Sequence, residues 1–450
     1  MKRAEKAITV VGALWLSLAA AAGIVLAADQ SDSKTTKPTV AMSERVYKRL
    51  KAIQDLLESK NIDAAALKLG ELESLTKLSP YERAQIHNIT AYFFYLQEKY
   101  PAAIQSYREL LKQEPLPEAL VQSTLKTLGQ LYFANQQYAE VLAPVKRLLA
   151  MLEAPEAELY VLLGSAYFQL QRYDEALAPI KTAIAISHKH GETPRENWLL
   201  LLRVIYHEKK DYNNMLVALK ELMTYYPKDD YLRAMAGVYS ELGNTHKQLA
   251  VTEALYENGS LTRPSEIVNL ANLFLLHGIP YKAAKLLQKE LDAKRVEGTV
   301  KNLRLLSQAW YQAREDEKAI PPLELAAARS DDGELYTRLA QSYLQLERWG
   351  DAARALQEGL KKGGIKRVDR ANVMLGMALF NQDQLDLAQS AFENAERDRR
   401  SRKTAQEWIA YIDHERKRLA AFQQVLPSIR SPETDELLRE LNTGTVPGEG

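Results

Sequence analysis

Two short histidine segments are the places where this sequence comes nearest to a metal site. The segment His207–Asp211 begins like the helix of zinc proteases, but its fifth residue is aspartate where that motif requires a second histidine. His188 and His190 stand two residues apart, so their imidazoles diverge on a helix, and no carboxylate completes a ligand set. We therefore expect the first segment to form a turn between two helices and the second to be a solvated helix end.

Motifs for catalysis are missing elsewhere. The sequence has no Gly-x-Ser-x-Gly elbow, no phosphate loop and no dinucleotide fingerprint. Gly363 and Gly364 are flanked by four basic residues, so they suit either an anion site or a loop between helices, and the loop explains the glycines better. We predict a protein with no enzymatic activity, no metal, no cofactor and no small-molecule substrate.

Charge and composition exclude further classes. The 59 Lys and Arg residues nearly balance the 58 Asp and Glu residues, and a net charge of +1 supplies no global field to hold nucleic acid. The absence of cysteine excludes disulfides, thiol catalysis, thiolate metal sites and a lipid-modified cysteine. With 46% hydrophobic and 26% charged residues, the 450-residue chain has the composition of a folded globular protein rather than a disordered one.

The amino terminus has the features of an export segment. Lys2, Arg3 and Lys6 precede an uncharged stretch from Ala7 to Ala28. Small residues before Asp29 allow cleavage by signal peptidase, and the apolar stretch is also long enough to remain as an anchor in the inner membrane. Residues 1–28 are thus a signal peptide or an anchor, residues 29–42 form a polar linker, and the rest of the chain is expected outside the cytoplasm.

The body of the chain repeats itself. Apolar residues recur at three-to-four spacing, which indicates helices, and residues 125–149, 159–184 and 335–360 align with one another. Each has a small residue, an aromatic residue three positions later, an aromatic residue at a turn, and a second small residue further on. These features resemble the tetratricopeptide repeat, a helix-turn-helix unit of about 34 residues.

One register extends this pattern along the whole body. The small residue of the first helix recurs at intervals of 33 to 39 residues, at Ile53, Ala91, Gly129, Gly164, Arg203, Ala236, Ala271, Ser307, Ala340 and Gly376. The register predicts an all-α tetratricopeptide-repeat solenoid of about ten units over residues 43–400. A capping helix follows at 401–426 and a flexible tail at 427–450. Ser79–Glu82 and Thr193–Glu196 each place a hydroxyl cap, a proline and a glutamate at the start of a first helix.

The first helices of such a stack line a concave face, which is a candidate surface for binding a peptide. One row of side chains, four residues after the small position, includes Tyr95, Phe133, Phe168, His207, Tyr311 and Phe380. A second row of hydrogen-bond donors includes Lys126, Gln130, Arg233, Asn272, Arg304 and Gln308. The aromatic row is equally compatible with packing against the neighbouring repeat, and the polar row with a solvated surface.

A more specific resemblance covers most of the chain. Residues 79–95, 278–291, 302–344, 359–367 and 400–413 look like the tetratricopeptide protein that accompanies TonB energy-transduction systems in Gram-negative bacteria. The resemblance implies a periplasmic accessory subunit that works with TonB, ExbB and ExbD in the uptake of iron-siderophores or other nutrients. It would be membrane-associated through these partners or an uncleaved amino terminus. The alternative is another envelope adaptor, in outer-membrane assembly, polysaccharide export or cell division.

Overall fold

The computed structural model describes residues 42–429, with side chains as far as Ala421. This part of the chain holds 21 helices and no strand, which confirms the predicted all-α class. None of these helices is both long and apolar enough to cross a membrane. The predicted export segment 1–28 lies outside the described residues, as do residues 29–41 of the predicted linker and residues 430–450 of the predicted tail.

The helices follow one another as ten pairs and a terminal helix, as the register predicts. In chain order the pairs are α1 and α2 (Glu44–Glu58, Ile62–Glu73), α3 and α4 (Pro80–Leu96, Tyr100–Leu110), α5 and α6 (Glu118–Ala134, Tyr138–Met151), α7 and α8 (Ala157–Gln169, Tyr173–Lys189), α9 and α10 (Glu196–Glu208, Tyr212–Tyr225), α11 and α12 (Asp229–Glu241, Thr245–Glu257), α13 and α14 (Pro264–Leu276, Pro280–Asp292), α15 and α16 (Val300–Gln312, Asp316–Arg329), α17 and α18 (Glu334–Gln345, Trp349–Lys362), and α19 and α20 (Val368–Phe380, Leu385–Glu396). The terminal helix α21 is Arg402–Ile429 and so extends three residues beyond the predicted end of the capping helix.

The chain divides into two compact units, residues 1–251 and 252–450. The first unit holds the first five pairs and the start of the sixth, and its main hydrophobic core extends from Ala84 to Tyr239. In the second unit a separate core extends from Leu303 to Ile412 and includes the fully buried Phe392.

Small residues let the two helices of a pair approach closely. A side-chain carbon added at Gly164 would lie 2.6 Å from Ile180, and one added at Gly376 would lie 2.6 Å from the ring of Phe392. Both distances are too short for carbon atoms in van der Waals contact. The register predicted this role for the small positions, and the packing of these two pairs confirms it.

The turn within every pair contains one residue in the left-handed region, with φ between +55° and +68°. These residues are Lys60, Glu98, Gln136, Gln171, Lys210, Gly243, Gly278, Arg314, Glu347 and Asp383. This conformation costs about 1 kcal/mol for a residue other than glycine. Only two of the ten are glycine, so packing of the paired helices sets the turn rather than the local sequence.

The start of the fifth pair differs from the prediction, and its small position holds a large residue, as the register already indicated. Helix α9 begins at Glu196 with Arg195 as its cap residue, so Thr193 is not a helix cap. The reason is tertiary, because the hydroxyl of Tyr226 donates to the carbonyl of Pro194 and holds that residue outside the helix. The small position is taken by Arg203, which is half-buried with no hydrogen-bond partner for Nε, and burial lowers the pKa of its guanidinium.

Candidate functional site

A cavity of about 730 Å³ lies in the second unit, on the side formed by the first helices of three consecutive pairs. Four of the residues predicted from the sequence line it: Asn272 on α13, and Arg304, Gln308 and Tyr311 on α15. Three successive repeats therefore contribute to one recess, which we call the central groove. The helices that line it are first helices of their pairs, the helices from which the sequence analysis chose its candidate residues.

The polar lining follows two helix faces. On α15 the residues Lys301, Arg304, Gln308 and Tyr311 succeed one another at steps of three, four and three, so they share one face of that helix. On α17 the lining residues Arg338, Gln341 and Gln345 follow the same spacing. The two faces look into the same recess because α15 and α17 are the first helices of neighbouring pairs.

Positive charge dominates this lining. Lys301, Arg304 and Arg338 are the charged residues of the central groove, and no acidic residue lines it. All three are exposed to solvent. Within the described residues none of them forms an ion pair with an aspartate or a glutamate. The groove therefore presents three cations whose charge the surrounding protein leaves uncompensated.

Apolar side chains form the floor. Leu323 and Leu335 are 7% and 5% exposed, and the half-buried Leu305 lies beside them. At the carboxyl end of α15 the ring of Tyr311 is 43% exposed. A peptide in this groove would meet hydrogen-bond donors and acceptors along its sides and an apolar surface beneath it, the combination that gives both orientation and affinity.

The aromatic residues predicted in the first unit have a different environment. The rings of Tyr95, Phe133 and Phe168 are half-buried, and each packs against a tyrosine at the start of the second helix of its own pair. The ring centroids are 6.2 Å apart for Tyr95 and Tyr100, 5.2 Å apart for Phe133 and Tyr138, and 5.8 Å apart for Phe168 and Tyr173. These rings therefore stabilise the helix pairs.

The remaining predicted residues do not line the central groove. Lys126 forms an ion pair of 2.7 Å with Glu156, and Arg233 forms one of 2.8 Å with Asp230. Gln130 is half-buried and His207 is exposed, both in the first unit. In the second unit Phe380 packs on the terminal helix, with centroid distances of 5.4 Å to both Trp408 and Tyr411.

The segments examined for chemistry have structural roles. Asp211 caps helix α10, because its carboxylate accepts the backbone N–H of Asn214, and Lys209 and Lys210 form the turn of the fifth pair, while His207 and Glu208 end helix α9. Gly363 ends α18 in the left-handed region and its carbonyl accepts the N–H of Gly333 across 2.7 Å. Among the described residues no group of three His, Asp or Glu side chains is placed to hold a metal ion.

Lys301 and Arg338 are lining residues that the sequence reasoning missed. The polar row was taken only three residues before and one residue after each small position. Lys301 lies one helical turn further towards the start of α15, and Arg338 is two residues before Ala340. One more turn of the three-to-four spacing would have identified Lys301, and a step of three residues back from Gln341 would have identified Arg338.

Comparisons with known proteins concern the repeats. The family model of the tetratricopeptide repeat matches residues 50–116, 126–189 and 337–388. No curated protein sequence matches the chain. The same matched segments contain helix pairs in the structure, so the predicted repeat type is confirmed.

Several solved structures are similar to parts of the chain. MamA from Desulfovibrio magneticus RS-1 is 18% identical over 41% of this chain and 96% of that chain, with a TM-score of 0.33. The TPR2AB domain of yeast Sti1, solved as a pHSP90 complex, is 13% identical over 60% of this chain and 98% of that one, with a TM-score of 0.32. A tetratricopeptide repeat protein from Parabacteroides merdae is 16% identical over 57% and 98%, with a TM-score of 0.29.

Proposed function

We propose that this chain, an all-α solenoid of tetratricopeptide repeats, is a non-catalytic scaffold that docks protein partners, and that the central groove is its docking site. One observation carries the proposal: first helices of three consecutive pairs line a single recess with exposed polar side chains over an apolar floor. Stacked repeats of this kind present extended surfaces for binding other proteins.

Site-specific cross-linking tests the proposal. A photoreactive phenylalanine replaces Tyr311 in the groove or, as a control, Tyr411 on α21, which is similarly exposed at 52%. We expect the probe at Tyr311 to cross-link a defined protein that then binds the purified chain, and the probe at Tyr411 to leave that protein unlinked. Equal cross-linking at both positions, or binding that survives Arg304→Glu, would contradict the groove as the docking site.

For the identity of the partner we propose a component of a TonB energy-transduction system in the periplasm. The support is the export segment at residues 1–28 and the sequence resemblance of residues 278–291, 302–344 and 400–413 to the protein that accompanies such systems. The chain would then support the uptake of nutrients through outer-membrane receptors by holding TonB, ExbB or ExbD in place.

Affinity purification from detergent-solubilised envelopes tests this assignment. We expect TonB or the ExbB–ExbD complex to be recovered with the tagged wild-type chain and to be lost with Arg304→Glu. Cell fractionation should place the chain in the periplasm or on the inner membrane. Recovery of components of outer-membrane assembly, polysaccharide export or division instead would assign the chain to another envelope complex.

A further inference from the structure

We infer that the central groove binds an acidic, extended segment of a partner protein. The inference rests on the proposed docking function and names the chemistry of the docked segment. Three cations, Lys301, Arg304 and Arg338, line the groove without any acidic residue among the lining side chains. Carboxylates are the complementary groups, and a charge-assisted hydrogen bond to an arginine or lysine is stronger than one between neutral groups.

Three acids on the helices around the groove have hydrogen-bond partners outside its lining. Glu334, at the start of α17, accepts the backbone N–H of Lys366 across 3.0 Å. The carboxylate of Glu324 on α16 accepts the hydroxyl of Tyr343. On α13, Glu266 pairs with Arg263 at 2.6 Å. These contacts direct the three carboxylates to groups other than the lining cations.

The other lining groups favour a polypeptide over a small anion. The amides of Gln308, Gln341 and Gln345 provide donors and acceptors of the kind that pair with a peptide backbone. Beneath them Leu323 and Leu335 offer apolar surface to one side chain of the segment. In an extended strand successive side chains point to opposite sides, so a segment with carboxylates on one side and apolar residues on the other would match the walls and the floor.

A nucleic acid fits the same charges poorly. The chain as a whole carries a formal charge of +1, so no long-range field supports a polyanion beyond these three side chains. An acidic protein segment needs only the local charges of the groove. We therefore infer that the ligand is a segment of a partner protein rather than a nucleic acid.

The experiment is a titration of the full chain with labelled peptides, followed by fluorescence anisotropy. The probe is a peptide in which glutamate alternates with leucine or serine, so that every carboxylate lies on one side of the extended strand, and its two controls replace every glutamate with glutamine or with lysine. We expect the glutamate peptide to bind at least about tenfold more tightly than either control. Its affinity should fall several-fold when salt is raised from about 50 mM to about 300 mM, because exposed charges are screened.

Variants then locate the binding. The double variant Arg304→Gln with Arg338→Gln should lose about tenfold or more in affinity for the glutamate peptide. A control variant, Lys294→Gln with Arg399→Gln, removes two exposed positive charges of the same unit that lie outside the groove lining, and should bind as the wild type does. Unchanged thermal melts by circular dichroism establish that both variants are folded.

Several outcomes would overturn the inference, and they are distinguishable from failure of the docking function. Equal binding of the glutamate and glutamine peptides, or no binding of either, would reject an acidic segment, while cross-linking at Tyr311 would still establish the groove as a docking site. A loss of affinity in the control variant equal to that of the groove variant would show nonspecific attraction.

The acidic tail of this chain is the competing occupant. Residues 430–450 contain Glu433, Asp435, Glu436, Glu440 and Glu449. If neutralising these five acids to amides in the full chain raises peptide affinity tenfold, the groove is occupied by the tail and the assignment to a partner protein is wrong. Unchanged affinity supports the partner.

Discussion

The phenol of Tyr256 donates a 2.6 Å hydrogen bond to Oε1 of Glu290, a carboxylate whose surface is fully buried. Arg295 donates to the same oxygen across 2.5 Å, so the buried charge has one cation and one neutral donor as partners. Burial, and then the bond to Glu290, raise the pKa of Tyr256 to about 12. The contact joins the second helices of the sixth and seventh pairs, both residues lying in the second unit.

The first prediction concerns this contact. Tyr256→Phe removes one of the two donors of a buried carboxylate, and we expect it to lower the free energy of unfolding by about 1–3 kcal/mol. Urea denaturation followed by circular dichroism measures the change. Tyr281→Phe is the control, since Tyr281 is 45% exposed. Equal stability of the two variants would show that the hydrogen bond contributes nothing.

The second prediction is that the stability of the protein depends on pH through Glu82, in the first turn of α3. Burial opposes ionisation of Glu82, but hydrogen bonds from Ser43 and Ser79 outweigh it and lower the pKa of the carboxyl from 4.5 to about 2. Between these two pH values the unfolded chain therefore binds more protons than the folded chain does. The contribution of Glu82 to the free energy of unfolding is present in full above about pH 5 and is lost as the pH drops towards 2.

Denaturation at pH 7 and pH 3 measures this dependence. We expect the wild type to lose about 1–2 kcal/mol more than Glu82→Gln over this interval, since solvent screens part of the interaction. Glu118→Gln, which removes an exposed glutamate near the start of the next first helix, controls for the lost charge. Identical losses of unfolding free energy in the wild type and in Glu82→Gln would show that Glu82 does not cause the pH dependence.

The third prediction compares two glycines within first helices. In Gly376→Ala the added methyl group would lie 2.6 Å from Phe392, and since that ring is fully buried and stacks on Trp408, we expect a loss of about 1–3 kcal/mol. At Gly237 a methyl group would meet nothing within 4 Å, so Gly237→Ala should stabilise by about 0.5–1 kcal/mol through helix propensity. We expect the melting temperature to fall in Gly376→Ala and to rise in Gly237→Ala. Two shifts in the same direction would refute the packing argument.

The fourth prediction concerns the attachment of the terminal helix. Asp369 is 5% exposed and accepts bonds from Arg367 and from the hydroxyl of Ser401, which hold the pKa of its carboxyl well below the usual range. We expect Asp369→Ala to destabilise the protein by about 2–4 kcal/mol, because it leaves these donors without their acceptor. Limited proteolysis should then cleave near Ser401.

Asp386 supplies the matched control for that variant. It also pairs with an arginine of α21, Arg416, but its side chain is 95% exposed. An exposed ion pair contributes less than about 1 kcal/mol, so Asp386→Ala should leave the proteolytic pattern unchanged. Equal sensitivity of the two variants would mean that burial of Asp369 is not what fixes the helix.

Much of the fold was predictable because the repeat places the same residue types in the same environment. Ala283 and Ala352 are fully buried at the small position of the second helix, where a larger side chain would force the pair apart. The capping box of Ser79 and Glu82 was also predictable, since both of its hydrogen bonds form within four consecutive residues. Such features depend on local spacing, which the sequence displays directly.

The prediction of a helix cap at Thr193 failed because a distant contact decides the outcome. Thr193 has the right neighbours for a helix cap, but Tyr226 lies 33 residues away in the sequence and keeps Pro194 outside the helix. For Phe133 and Phe168 the sequence is compatible with both a binding role and a packing role. In the structure each ring packs on the tyrosine that starts the second helix of its own pair.

The central groove exists only while three consecutive pairs are folded together. Its walls come from α13, α15 and α17, and repeats of this kind are held chiefly by contacts with their immediate neighbours. Opening of any one of the three pairs removes part of the walls, so an occupant binds the intact array and suppresses its local unfolding. Binding therefore requires that all three pairs be folded at once. When the groove is filled, amide hydrogen exchange should slow in all three pairs together.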